Sequence, residues 1–386
     1  MNLKAIKICR NKGKENEWNI GGNQVDKWLD FENINLIVGK NASGKSRTVD
    51  TIRHIADLFS GDRKISDLEY NTAIFELRFE NGKEIIDYCL EFEDEKIIQE
   101  ILLVDGQRKL NRKEGKLFYE GANDELDFQT DDDILAITKR DKIQHSFFEK
   151  LYYWGKNLSH YRFGTYLGKD ILLRDINLIK DNDEIDFKNT NKVTEVFYKG
   201  NKNKSIPNFE KIIIEDMQQI GYPISKIDTK LKLIPAFGIT VQECDLQDIT
   251  DQIEMSQGMF RALSLLIQLN YSLLTKTPSC ILIDDIGEGL DYERSQSLIN
   301  LIIKRVENND ASVQVIMTTN DRFVMNNVPL KYWSVIRRTS GKAIFYNYKN
   351  SKETFDDFSL TRLNNFEFFS TDFFEKGFEE YVKDVE

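Results

Sequence analysis

The sequence predicts an α/β protein with a mixed or parallel sheet core, an antiparallel β subdomain and a helical insertion. Three observations predict it. After Thr240, apolar helices alternate with short apolar strands, Cys280-Ile281-Leu282-Ile283 and Val313-Gln314-Val315-Ile316-Met317, the pattern of parallel strands joined by helical crossovers. Residues 72 to 120 instead alternate apolar and polar side chains, with turn dipeptides Asn81-Gly82 and Asp105-Gly106, as an antiparallel meander does. The apolar run Asn35-Leu36-Ile37-Val38 passes into a glycine-bracketed loop and then a helix.

Taken in order, Leu3, Ala5, Ile6 and Ile8 mark a first strand and Asn19-Ile20 a short second one. The helix from Gly44 carries Val49, Ile52, Ile55 and Phe59 on one face and ends at Gly61. Ala73 to Phe79 and Ile97 to Val104 are meander strands. Asp131-Asp132-Asp133 opens a helical and irregular stretch, with helices expected over Phe147 to Leu158 and Asn208 to Ile220. Between them, residues 180 to 205 are rich in Asn, Asp and Lys and read as an exposed loop. A long helix over Phe260 to Leu274 and another over Tyr292 to Asn308 flank the first late strand. Residues 351 to 386 hold Phe355, Phe358, Phe366, Phe368, Phe369, Phe373, Phe374 and Phe378 among many acids; such a tail packs on the body or docks a partner. The expected partition is 1–130, an N-terminal lobe with the meander; 131–235, the insertion; 236–350, the C-terminal lobe; and 351–386, the tail. No internal repeat and no heptad run long enough for a coiled-coil arm is visible.

The 386 residues are 40% hydrophobic and 30% charged, with a net charge of −11. That balance suits a globular chain with a sizeable core. The acidic excess removes the simplest argument for nucleic acid; DNA would need a local basic patch, for which Lys4 to Lys14 and Lys199 to Lys204 are the candidates. Cys9, Cys89, Cys244 and Cys280 form no CxxC pair, so reduced thiols are expected rather than a disulfide or zinc framework. No apolar run reaches membrane-span length and the N-terminus lacks a signal-peptide block, so a cytoplasmic location and no membrane contact are expected.

Gly39-Lys40-Asn41-Ala42-Ser43-Gly44-Lys45-Ser46 fits the pattern GxxxxGK[ST] between a strand and a helix. Glycines let the backbone wrap phosphates with its N–H groups turned inward, and the helix N-terminus favours negative charge. Gly39, Asn41, Ala42, Ser43, Gly44, Lys45, Ser46 and Arg47 are therefore the expected ATP contacts. Lys45 would reach the β- and γ-phosphates and the Ser46 hydroxyl Mg²⁺. The strand Cys280 to Ile283 ends in Asp284-Asp285, at the strand end that faces ligands in α/β sheets. With a phosphate loop in the same chain, Asp284 is expected to hold Mg²⁺ and Asp285 to act as the base toward the attacking water.

Met255-Ser256-Gln257-Gly258-Met259-Phe260-Arg261, just before the long helix, resembles the ABC-ATPase signature LSxGxxR. Asp284 to Asp291 resembles a Walker B strand running into a D-loop, with Asp291 its acid, and Thr318-Thr319-Asn320 stands where that superfamily has a switch histidine. The long separation of phosphate loop and signature resembles the RecF, SMC and OLD branch, and within it the stand-alone AAA-type ATPases of bacterial antiphage loci.

The resemblance implies that Ser256, Gln257 and Gly258 meet the ATP of a second copy, so the chain closes as a homodimer, or within a higher oligomer, around two nucleotides. It also implies catalytic roles for Lys45, Asp285 and Asn320. Asp285 replaces the usual glutamate, Asn320 cannot take up a proton as histidine does, and Met255 replaces leucine; slow hydrolysis and a switch-like use of ATP are expected. Gln99 is the candidate Q-loop glutamine. The expected function is an ATP-gated sensor or scaffold acting with a separately encoded effector, a nuclease or toxin, in antiphage defence. The stretch after Asn320 is short for a built-in nuclease, and His54, His145 and His160 are scattered. The alternative is a RecF- or SMC-like repair ATPase that clamps DNA.

Overall fold

The computed structural model describes residues 1–24, 27–180, 184–231, 235–308 and 313–385. In chain order its strands are β1 (Asn2–Arg10), β2 (Trp18–Gly21), β3 (Leu29–Asp30), β4 (Ile34–Val38), β5 (Thr72–Asn81), β6 (Glu84–Glu93), β7 (Lys96–Val104), β8 (Gln107–Asn111), β9 (Lys116–Tyr119), β10 (Asp124–Asp127), β11 (Leu158–Arg162), β12 (Ile224–Lys230), β13 (Phe237–Glu243), β14 (Ile249–Asp251), β15 (Ser279–Asp284), β16 (Val313–Thr319), β17 (Trp333–Thr339) and β18 (Lys342–Asn347). Its α-helices are α1 (Lys45–Ser60), α2 (Ser146–Lys156), α3 (Val193–Lys202), α4 (Phe209–Gln219), α5 (Gln257–Leu274), α6 (Tyr292–Glu307), α7 (Arg322–Asn327), α8 (Lys352–Ser359), α9 (Asn365–Ser370) and α10 (Phe373–Val385). Two compact units form, Met1–Leu158 with Pro329–Glu386, and Ser159–Val328. The expected insertion, 131–235, is divided between them.

In the first unit the strands run in the order β10-β9-β8-β7-β6-β5-β1-β2-β18-β17-β4, with β3 beside β1. The meander follows from its period-two pattern. Ala73, Phe75, Leu77 and Phe79 of β5 stand opposite Phe92, Leu90, Tyr88 and Ile86 of β6, and all eight are buried on one face. That face receives α1 and α2, where Phe59 meets Tyr88 at 4.9 Å and Trp154 meets Phe79 at 4.9 Å. β17 runs parallel to β4, pairing Trp333 with Leu36 and Val335 with Val38, and β18 returns antiparallel to it.

The phenylalanine-rich tail packs on its own unit. Phe355, Phe358, Phe368, Phe369, Phe373 and Phe374 are buried, while Phe378 is 47% exposed. Phe368 sits at the centre, 4.6 Å from Phe355, 4.9 Å from Phe358 and 6.4 Å from Trp333 of β17. Six buried rings, each worth about 1.5–3 kcal/mol of transfer, hold a segment whose acids would otherwise keep it in water.

In the second unit β15 and β16 are parallel with β11 beside β15, and β12, β13 and β14 form a separate antiparallel sheet. The buried Asp216 of α4 accepts from Asn270 of α5 at 2.7 Å and pairs with Arg305 of α6, locking three helices together. Two expectations are corrected. Part of the expected loop 180–205 is helix α3; residues 181–183 lie outside the described residues. Its polar composition hides an apolar stripe, Val193, Val196, Phe197 and Gly200, at helical spacing and buried. Gln99 is no Q-loop residue: it lies inside β7 opposite Glu91, seven strand spacings from β4, or roughly 30 Å.

Candidate functional site

Five fully buried apolar or amide side chains, Ile34 to Val38, fix β4 in the sheet and deliver the loop 39–44 at its carboxyl end. Lys45 opens α1 and is 6% exposed; its ammonium turns back into the loop, donating to the carbonyl oxygens of Gly39 at 2.8 Å and Lys40 at 3.2 Å. The positive charge is thereby held at the mouth of a loop whose amides and helix dipole already favour an anion. Two glycines are required by packing. A Cβ on Gly39 would lie 2.4 Å from Ile336 Cγ2, and one on Gly44, whose φ is +109°, 2.7 Å from Trp18 Cζ2. Asn41, Ala42, Ser46 and Arg47 are exposed and Ser43 is buried.

Around the loop stand residues that sequence reasoning missed. Trp18 lies under the Arg47 guanidinium at 4.3 Å, and Arg338 of β17 donates to the Ala42 carbonyl at 3.0 Å. An open cavity of about 460 Å³ beside the loop is lined by Lys40, Ser43, Arg338, Phe369 and Phe374 among others. No motif marks these positions; the pairing of β17 with β4 brings Arg338 there, and the pairing of β18 with β17 and β2 brings Trp18.

In the second unit Asp284 ends β15 and Asn320, exposed, follows β16, so the parallel register places both at the same carboxyl edge. Thr318, fully buried in β16, donates its hydroxyl proton to Asp284 Oδ1 at 2.6 Å and accepts the Asp285 amide at 2.9 Å. Asp285 has φ +56°, a left-handed conformation that Asp tolerates better than most residues with a Cβ. The replacement of the usual glutamate thus coincides with a backbone that suits the shorter acid.

The signature residues and the D-loop meet within the same unit. Ser256 is exposed and caps α5, its Oγ accepting from the Met259 amide at 3.2 Å. Gln257 donates to the Thr165 carbonyl at 3.1 Å. Gly258 is buried so tightly that a Cβ would lie 2.5 Å from the Gly289 carbonyl. Arg261, 7% exposed, ties the segment down, donating to the Glu288 carbonyl at 2.9 Å and the Thr165 carbonyl at 3.1 Å. Asp291 caps α6 through the Arg294 amide at 2.9 Å and pairs with the Arg294 guanidinium at 2.7 Å; that amide bond holds its carboxyl below the usual range.

Ser46 in the first unit and Asp284 in the second each offer an oxygen donor of the kind Mg²⁺ takes. A serine hydroxyl and a carboxylate are hard oxygen ligands, and Mg²⁺ commonly takes one or two protein oxygens plus phosphates. Among the described residues no cluster of three His, Cys, Asp or Glu could hold a metal by itself.

Residues 34–326 match the family described as "AAA domain, putative AbiEii toxin, Type IV TA system", and the chain belongs to that family. Two solved structures share the fold. An SMC head bound to the C-winged helix domain of ScpA is 16% identical, with a TM-score of 0.52, over 89% of this chain and 97% of that one. An SMC head with an extended coiled coil, bound to the C-terminal domain of ScpA and derived from Pyrococcus furiosus, is 14% identical, with a TM-score of 0.51, over 92% and 99%. No curated protein matches the chain. The chain is thus an AAA-domain protein that shares the fold of the SMC heads.

Proposed function

We propose that the chain is a slow, Mg²⁺-dependent ATP switch that closes as a homodimer around two nucleotides and gates a separately encoded effector, a nuclease or toxin, in antiphage defence. The observation that carries this reading is the exposure of Ser256. Its helix is locked by Arg261 and Gly258, yet Ser256 itself is exposed, open to the approach of a second copy's γ-phosphate. The contact is reciprocal, hence two-fold. When bound, Mg²⁺ supplies charge neutralisation at the phosphates. Lys45 and the loop amides bind and orient them, Ser46 and Asp284 would hold the ion, Asp285 would take the proton of the attacking water, and Asn320 would orient the γ-phosphate by hydrogen bonding.

The antiphage assignment takes its support from the family match. A cytoplasmic site of action is supported by four free cysteines, and no helix among the described residues is long and apolar enough to cross a membrane. The DNA-clamp alternative gains nothing from the basic segments: Lys4 pairs with Glu80 at 2.9 Å, Lys7 with Glu76 at 2.5 Å, Lys12 with Glu91 at 3.6 Å and Lys199 with Glu195 at 3.3 Å.

Light scattering with and without ATP and Mg²⁺ tests the closure. The native chain should dimerise with ATP, Lys45→Ala should lose nucleotide binding, and Ser256→Arg should bind nucleotide and remain monomeric. Asp285→Ala should slow turnover by about 10²–10⁴-fold, the span of a lost general base. Motor-like turnover, or faster turnover in Asp285→Ala, would contradict the switch. An ATP-independent oligomeric state would contradict the sandwich.

A further inference from the structure

We infer that Thr318 is a positioning residue for the metal-side carboxylate: its hydroxyl fixes the orientation of Asp284 and turns Asp285 away from the strand, without itself touching nucleotide or ion. The inference rests on the assignment of Asp284 to Mg²⁺ made above.

Three hydrogen bonds converge on this one residue. Its hydroxyl donates to Asp284 Oδ1 at 2.6 Å, the same oxygen accepts the Asp285 amide at 2.9 Å, and its carbonyl accepts the Ile286 amide at 3.0 Å. A hydroxyl has a single proton. The amide must donate, so the proton goes to the carboxylate and the direction of both bonds is unique. Register makes the meeting possible: Ile283 pairs with Met317, so the following residues, Asp284 and Thr318, come side by side at the strand ends.

A valine of nearly the same shape would suit this buried strand without a polar atom to satisfy. All seven residues of β16 are buried, and burying an unpaired hydroxyl is unfavourable. The hydroxyl is useful only through its bonds, and both lead to the acidic pair. The bond to the Asp285 amide also stabilises that residue at φ +56°, where side chains with a Cβ are disfavoured. The backbone at Asp285 therefore departs from the extended path that Asp284 follows at the end of β15. This separates an acid suited to the ion from one suited to the water.

The test measures Mn²⁺, as a paramagnetic probe, bound by the full chain with saturating ATP. Thr318→Val should weaken Mn²⁺ binding by about 10–100-fold, the usual cost of removing a partner of a metal-ligating group. ATP binding in EDTA should not change. Thr318→Ser, which keeps the hydroxyl, should stay near the native value, and Thr318→Ala should behave like Val, which separates the hydroxyl from side-chain shape. In an Asp284→Ala background Thr318→Val should have no further effect. If the native chain binds Mn²⁺ and Thr318→Val binds it equally well, this inference falls alone. It also falls if Ser loses as much as Val. Absence of nucleotide-dependent Mn²⁺ binding in the native chain overturns the metal assignment of Asp284, and this inference with it.

Discussion

Gly258→Ala adds one methyl group where the signature helix touches the D-loop. The new Cβ would stand 2.5 Å from the Gly289 carbonyl oxygen, 3.0 Å from Leu290 Cδ2 and 3.1 Å from the Tyr222 hydroxyl. Carbon–oxygen contacts settle near 3.3 Å, so helix and D-loop must part by about 0.8 Å. The obstacle is backbone, so no rotamer change relieves it. Overpacking of this kind costs about 1–3 kcal/mol. Against it, alanine is favoured over glycine in a helix by up to about 1 kcal/mol. The net loss is about 1 kcal/mol, worth a few degrees in Tm. The functional effect should be larger, because Ser256 lies two residues away. A displacement near 1 Å in a phosphate-contacting group can cost about 10²-fold. The variant should therefore fold, bind ATP with native affinity, and lose about 10- to 100-fold in ATP-dependent dimerisation, read by light scattering alongside nucleotide titration. Native dimerisation in Gly258→Ala would show that this contact does not set the position of the signature, and the reasoning would be refuted.

Phe368→Ala removes the ring at the centre of the tail cluster and should destabilise the protein by about 3–5 kcal/mol in chemical denaturation; a loss below 1 kcal/mol would mean the tail is not part of the core. Glu100, fully buried between the Tyr88 hydroxyl, the Ala136 amide and Arg112, has its pKa raised by burial. An acid raised in the folded state contributes stability below its ordinary value of 4.5 and loses it as pH rises above that value. Arg112→Ala should thus cost about 3–5 kcal/mol, with a larger deficit at pH 8 than at pH 5; equal deficits would argue that Arg112 does not balance this charge. His54 has its pKa lowered to about 4 by burial and by Arg63 and Arg53. It is neutral when folded, so it adds stability above its ordinary value of 6.5 that is lost as pH falls toward 4. His54→Gln should flatten the acid limb of stability across that window, and an NMR titration midpoint near 6.5 would refute the assignment.

Much of the architecture was legible because it is written in local patterns. The strand Ile34–Val38, the loop 39–46 and helix α1 are contiguous, and each is marked by apolar runs, glycines or periodicity. The same holds for Ser256 at the cap of α5 and for the meander, where alternation fixes register one strand at a time. Local reading failed where composition masked periodicity, as in α3. It failed again where a single residue type was asked to carry a role, as with Gln99.

By itself, then, the sequence determined the identity and order of the strands and helices that carry the phosphate loop, the acidic pair and the signature, because those signals need only neighbouring residues. The tertiary structure alone decided that Thr318 holds Asp284 and Asp285, that Arg338 and Trp18 flank the loop, and that six of the tail's eight phenylalanines are core. The physical reason is common to all three. Each depends on which strand lies beside which and in what register, a choice made by the burial of whole faces and by hydrogen bonds between residues far apart in the chain.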